Sequence, residues 1–81
     1  MKKITIYGLS TCPWCAKARQ YFVESHIPVD YFDYDRADAG TQARISREMT
    51  AANVTGFPFV RIDGHVIVGY NPEGYLKALA S

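Results

Sequence analysis

Cys12 and Cys15 stand two residues apart in the stretch STCPWCAKA, residues 10–18, and they are the only cysteines of the chain. Sulfur at this spacing admits three kinds of chemistry: half of a metal site, a structural disulfide, or a redox-active dithiol. A disulfide between them would close a very short loop. The stability that a cross-link gives through the unfolded chain grows with loop length, so a staple here would gain little. Zinc would need two more ligands, and His26 and His65 lie at no zinc-finger spacing from the pair. Asp30, Asp33 and Asp35 fall on alternate faces of an expected strand, which does not make a cage. The redox reading leads, and no bound metal is expected.

A working dithiol needs its two sulfurs in different surroundings, and the flanking pattern predicts how they are held. KITIY, residues 3–7, reads as a strand. Gly8–Thr11 is then a loop, and a helix runs from about 13 to 25. Pro13 suits its first position, where a missing N–H costs nothing. Cys15, Ala18 and Phe22 recur at i, i+3 and i+7 and make its buried stripe. VDYFDYD, residues 29–35, is a second strand, and a second helix spans about 38–51 with Ile45, Met49 and Ala52 facing inward. FVRI (59–62) and HVIV (65–68) flank Asp63-Gly64, a strong two-residue hairpin signal. Asn71, Pro72 and Glu73 start a last helix as cap, first residue and dipole-matched acid, with Tyr75, Leu76 and Leu79 facing inward.

The order β-α-β-α-β-β-α predicts one α/β domain over residues 1–81. The first two strands should be parallel through a right-handed crossover, and the last two an antiparallel hairpin. A four-stranded mixed sheet with helices on both faces follows. With C-x-x-C opening the first helix of a βαβ unit, the arrangement is similar to the thioredoxin-like fold.

In that frame Cys12 takes the N-cap of the first helix, where unpaired N–H groups and the positive dipole end favour the thiolate, the nucleophilic form. Lys17 and Arg19, one turn on, add positive potential if they point that way. Cys15 lies on the buried stripe and should keep its proton. Cys12 then attacks a substrate disulfide, and Cys15 attacks the resulting mixed disulfide and releases the reduced substrate. Pro13 holds the turn, and Trp14 offers a flat apolar surface to the partner. In TGFPFV, residues 55–60, a cis bond is expected at Phe57–Pro58. It would turn the Phe57 backbone toward Cys12, where it can pair with an extended substrate segment.

Composition narrows the rest. Apolar residues make up 48% of the 81, enough to build one core without cross-links. Net charge is +1 with no basic stripe, which gives nucleic-acid binding no support. There is no membrane-spanning apolar run, and MKKITIYG lacks the long apolar region of a signal peptide. A cytoplasmic protein is expected, where a C-x-x-C is rarely a structural disulfide.

The combination of Tyr7, Cys12-Pro13-Trp14-Cys15, Gly56-x-Pro58 before a hairpin, and Gly69-Tyr70-x-Pro72 at a helix start resembles the glutaredoxin family over essentially the whole chain. The resemblance implies thiol–disulfide exchange with Cys12 as nucleophile, Cys15 as resolving cysteine and Pro58 as a cis-proline. Pro13, Trp14 and Lys17 would support the site, and Phe57, Pro58, Gly69, Tyr70 and Asn71 would hold substrate or glutathione. It implies glutathione as co-substrate, disulfide-bearing proteins and glutathione reductase or thioredoxin reductase as partners, and a monomer. Two positions depart from the family. Leu9 stands where a basic residue usually meets a glutathione carboxylate. Gly69-Tyr70-Asn71-Pro72 replaces the usual Gly-Gly-x-Asp, and Pro72 has neither an N–H nor a carboxylate. That stretch is similar instead to the NrdH-type redoxins, which take electrons from thioredoxin reductase and serve ribonucleotide reductase. A further alternative is a [2Fe–2S] cluster bridged with glutathione between two subunits, which the proline after Cys12 usually disfavours.

Overall fold

The computed structural model describes residues 2–81. Four strands form one mixed sheet in the order β2-β1-β3-β4: β1 (Ile4–Gly8), β2 (Asp30–Asp33), β3 (Phe59–Ile62) and β4 (His65–Val68). β1 runs parallel to β2 and antiparallel to β3, and β3 and β4 form the hairpin expected at Asp63-Gly64. Three helices cover the sheet: α1 (Pro13–Glu24), α2 (Ala39–Ala51) and α3 (Pro72–Ala80). This is the mixed four-stranded, thioredoxin-like arrangement that the element order predicts.

Alternation along β1 decides which helix lies where, because successive side chains point to opposite faces. Ile4 and Ile6 meet Ala18 and Phe22 of α1 and Tyr75 and Ala78 of α3 in one core. Tyr7 points the other way and packs with Phe59 under Ile45 and Met49 of α2. Helices therefore lie on both faces. The stripe Cys15, Ala18, Phe22 is fully buried, as its spacing predicts.

The helix ends follow from local chemistry. α1 stops at Glu24, one residue short of the expected end. His26 takes a positive φ of 57°, and the Ile27 N–H reaches back to the Phe22 carbonyl at 2.9 Å. α2 ends the same way, with Asn53 at φ 60° and Val54 N–H on the Met49 carbonyl at 2.8 Å. Asp38 caps the start of α2 by accepting the Thr41 N–H at 2.7 Å.

Two expectations are corrected. β2 covers Asp30–Asp33 rather than 29–35, because Tyr34–Arg36 form a single 3-10 turn. The Tyr34 carbonyl accepts the Gln42 side-chain amide of α2 at 2.8 Å, and Asp35 turns away to bind Ser10. Both contacts pull the chain off the strand path. Leu76 does not face inward: it is 62% exposed, and Ala78 takes the core position instead. On α3, Tyr75 fixes the buried face, and Ala78 at i+3 shares it while Leu76 at i+1 does not.

Candidate functional site

Every segment expected to do chemistry leaves the same end of the sheet. Gly8 is paired with Asp33, Tyr7 with Phe59, and Phe59 with Val68. The loop to Cys12, the residues after β2, the Phe57–Pro58 segment before β3 and the Gly69–Asn71 segment after β4 therefore emerge side by side. Sequence distance hides this, and the register makes it plain.

Cys12 is the N-cap of α1, with φ −91° and ψ 114°. Its N–H donates to the Leu9 carbonyl at 3.1 Å, and its Sγ accepts the Cys15 N–H at 3.2 Å. Pro13 occupies the start of the helix, and the first turn carries no acid. The positive end of the helix therefore faces the Cys12 sulfur with no carboxylate of its own first turn to offset it. Cys12 is part-exposed, whereas Cys15 has no exposed surface. Burial pushes the Cys15 thiol up to about 12, and its contact with Cys12 adds to the rise. One sulfur is thus reachable and held by an N–H donor, while the other is shielded and protonated. Such a pair can attack, and then resolve, a disulfide.

The glycine that ends β1 allows this packing. A Cβ on Gly8 would stand 2.7 Å from the Tyr31 hydroxyl, 3.0 Å from Cys15 Cβ and 3.2 Å from Cys15 Sγ. Only a bare Cα lets Cys15 and Tyr31 approach from two sides. The loop that follows is clamped: Asp35 accepts the Ser10 N–H at 2.9 Å and the Ser10 hydroxyl at 2.5 Å. These bonds hold the Asp35 carboxyl below the usual carboxylate range.

On one side of Cys12 lies an aromatic surface. Trp14 is 56% exposed and stacks on Tyr70 with ring centroids 6.2 Å apart and 27° between planes. Lys17 sits 4.8 Å over the Trp14 ring, so it braces the tryptophan rather than lining the Cys12 cleft. Tyr70, on the segment between β4 and α3, and Trp14, on α1, thus form one patch. Gly69, at φ +85°, donates its N–H to the Pro58 carbonyl at 2.8 Å and accepts the Tyr75 hydroxyl. Asn71 caps α3 by accepting the Gly74 N–H at 3.0 Å. Pro58 is buried, and the Phe57–Pro58 bond is cis. Among the described residues, the Phe57 N–H and C=O make no hydrogen bond within the protein.

On the other side of Cys12 a cleft of about 410 Å³ is lined by Cys12, Leu9, Ser10, Arg19, Tyr31 and Asp33 among others. Arg19 lies 4.8 Å over the Tyr31 ring. Tyr31 and Asp33 are the residues the sequence reading did not connect to the cysteines. They belong to β2, and only its parallel pairing with β1 brings them under α1. A larger cleft of about 480 Å³, lined by Lys3, Thr5, Arg44, Arg61 and Asp63 among others, holds neither cysteine. Among the described residues no cluster of three or more His, Cys, Asp or Glu side chains is placed to hold a metal, and no helix is long and apolar enough to cross a membrane.

Comparison with known proteins agrees with this geometry. The family model for glutaredoxin matches residues 4–67. The glutaredoxin-like 8.6 kDa protein in the rubredoxin operon of Clostridium pasteurianum is 37% identical over 68 residues, which is 84% of this chain and 85% of that protein. The glutaredoxin of Methanosarcina mazei Go1 superimposes with a TM-score of 0.86 at 29% identity, covering 98% of this chain and 79% of that one. The glutaredoxin-like NrdH-redoxin of Escherichia coli superimposes with a TM-score of 0.78, covering 93% of this chain and 92% of that one. Its identity is 17%, so that likeness is one of fold alone.

Proposed function

The chain belongs to the glutaredoxin family, and from that premise we propose that it is a dithiol thiol–disulfide oxidoreductase of the cytoplasm, acting as a monomer on disulfide-bearing proteins. Cys12 attacks the target disulfide and is left in a mixed disulfide. Cys15 attacks Cys12, forms the Cys12–Cys15 disulfide and releases the target as a thiol. The observation that carries this reading is the asymmetry of the pair: a reachable sulfur on an N–H donor at a helix start, and a buried, protonated one a turn later. Pro13 sets the helix start. Trp14, braced by Lys17 and stacked on Tyr70, gives the partner an apolar landing surface. The unpaired N–H and C=O of Phe57, beside Pro58, suit strand-like pairing with an extended target segment.

Electrons return to the pair from a reductase. Glutathione with its reductase is the first reading, with Gly69, Tyr70 and Asn71 flanking the tripeptide. Leu9 and Pro72 favour a second reading, a redoxin refilled by thioredoxin reductase that passes electrons to ribonucleotide reductase. Leu9 brings no charge to meet a glutathione carboxylate, and Pro72 has neither a charge nor an N–H. The oxidised protein offered NADPH with glutathione and glutathione reductase, or NADPH with thioredoxin reductase, separates the two. Turnover in the first alone supports glutathione, and turnover in the second alone supports the redoxin reading. Absence of turnover in both contradicts the proposal. Cluster binding, the non-enzymatic alternative, predicts iron-type absorbance and a glutathione-dependent dimer on reconstitution with iron and sulfide.

A further inference from the structure

The resolving step carries a chemical difficulty that the cysteines alone do not solve. The thiolate, not the thiol, is the nucleophile. Burial, the largest cause of the rise in the Cys15 thiol, persists when Cys12 is tied up in a mixed disulfide, so the resolving sulfur starts protonated. A group that accepts the proton as the sulfur attacks would remove that limit.

Such a group lies on β2. Asp33 is part-buried, and its Oδ1 has no exposed surface and no hydrogen-bond partner among the described residues. A buried carboxylate oxygen without a donor costs stability unless it has a task or a transient partner. Asp33 lines the cleft that also holds Cys12. Between it and Cys15 stands Tyr31, two residues earlier on the same face of β2. The Tyr31 hydroxyl and Cys15 Sγ flank the bare Gly8 Cα from two sides, 2.7 and 3.2 Å from the place a Cβ would take, and the Tyr31 phenol responds to both Asp33 and Cys15. The Tyr31 phenol is raised to about 12, first by burial and then by the Asp33 charge, so it holds its own proton and can pass one along. The other ionisable groups facing this corner are Cys12 and Arg19 of α1 and Tyr75 of α3. Asp35, in the turn after β2, is occupied by Ser10.

We propose that Asp33 is the proton acceptor of the resolving step, reached from Cys15 by way of the Tyr31 hydroxyl. The inference rests on the dithiol reading above. In the mixed disulfide, Cys12 Sγ is bonded to the partner's sulfur. The Cys15 thiol gives its proton to the Tyr31 oxygen as Tyr31 gives its own to Asp33. The electron pair left on Cys15 forms the Cys15–Cys12 bond. The bond from Cys12 to the partner breaks, and its pair leaves on the partner's sulfur as a thiolate, which is protonated by water. Two electrons pass from the cysteine pair to the partner, and Asp33 returns its proton to solvent through the cleft.

The test uses reduced protein and less than one equivalent of 5,5′-dithiobis(2-nitrobenzoate), followed by stopped flow. Attack by Cys12 releases one coloured thiolate and resolution by Cys15 releases the second, so the two steps are read separately. Failure of the first release, or its persistence in Cys12→Ser, counts against the dithiol reading itself. With the first release intact, Asp33→Asn is expected to slow the second about 100-fold. Its rate should also climb about tenfold per pH unit from pH 6 to 8, because hydroxide then does the work, while the parent stays nearly level. Tyr31→Phe, which keeps the ring under Arg19, should slow the second release too and carries the test if Asp33→Asn does not fold. If Asp33 were only a fixed negative charge, its removal would ease ionisation of Cys15 and leave resolution unchanged or faster. A second release at the parental rate and pH profile in either folded variant overturns the proposal.

Discussion

Gly8→Ala is the sharpest steric probe of the site. Gly8 ends β1 and is not among the residues with positive φ, so alanine meets no backbone penalty there. The whole cost is contact. The new methyl would stand 2.7 Å from the Tyr31 hydroxyl, 3.0 Å from Cys15 Cβ and 3.2 Å from Cys15 Sγ. The phenol can swing by a few tenths of an ångström, but Cys15 Cβ is fixed by the first turn of α1. Relief therefore requires the helix to shift from the sheet, against the burial of Ala18 and Phe22 on the same stripe. Overpacking of this kind costs about 1–3 kcal/mol. For a domain of this size, each kcal/mol lowers Tm by about 4–8 °C. Thermal unfolding followed by circular dichroism, on the reduced protein, should show a drop within about 4–24 °C. A Tm equal to the parent's would refute the claim that Gly8 is the close approach between β1 and the resolving cysteine.

Three further outcomes follow from the same contacts. Asn71→Ala removes the cap of α3 and should cost about 0.5–2 kcal/mol in urea unfolding, with the midpoint moving and the slope unchanged. Leu76→Ala, on the exposed face of the same helix, should stay within about 0.5 kcal/mol, and a larger loss would show that this face is packed. The Asp35 carboxyl is held low by Ser10, so its contribution to stability is complete above the ordinary carboxylate value near 4 and is lost as pH falls from there through the lowered folded-state value. Ser10→Ala should flatten that acid limb; an unchanged limb would show that the clamp is not formed in solution.

Much of the fold is legible in the sequence because its signals are local. Asp63-Gly64 between two β-rich runs gives the hairpin, Asn71-Pro72 starts α3, and the spacing of Cys15, Ala18 and Phe22 names the buried side of α1. Tyr34 and Leu76 depart from their local patterns for physical reasons. Tyr34 is a good strand former, yet its carbonyl and ring are taken up by Gln42 and Phe57, and propensity carries no information about such tertiary partners. Leu76 is apolar but lies off the face fixed by Tyr75, and a single exposed leucine is ordinary. The two cysteines and their unequal surroundings are legible from spacing alone. The placement of Tyr31 and Asp33 beside them is not, because it depends on strand pairing between residues more than twenty positions apart.

The central claim is that Cys12 attacks and Cys15 resolves. It is tested most directly by the mass of the covalent adduct formed when Cys15→Ser protein meets a disulfide substrate. The account predicts a stable adduct of one substrate half per protein, mapped by peptide digestion to Cys12, and none on Cys12→Ser protein under the same conditions. An adduct that forms as readily on Cys15 in the Cys12→Ser protein, or the absence of any adduct on Cys12, would contradict it.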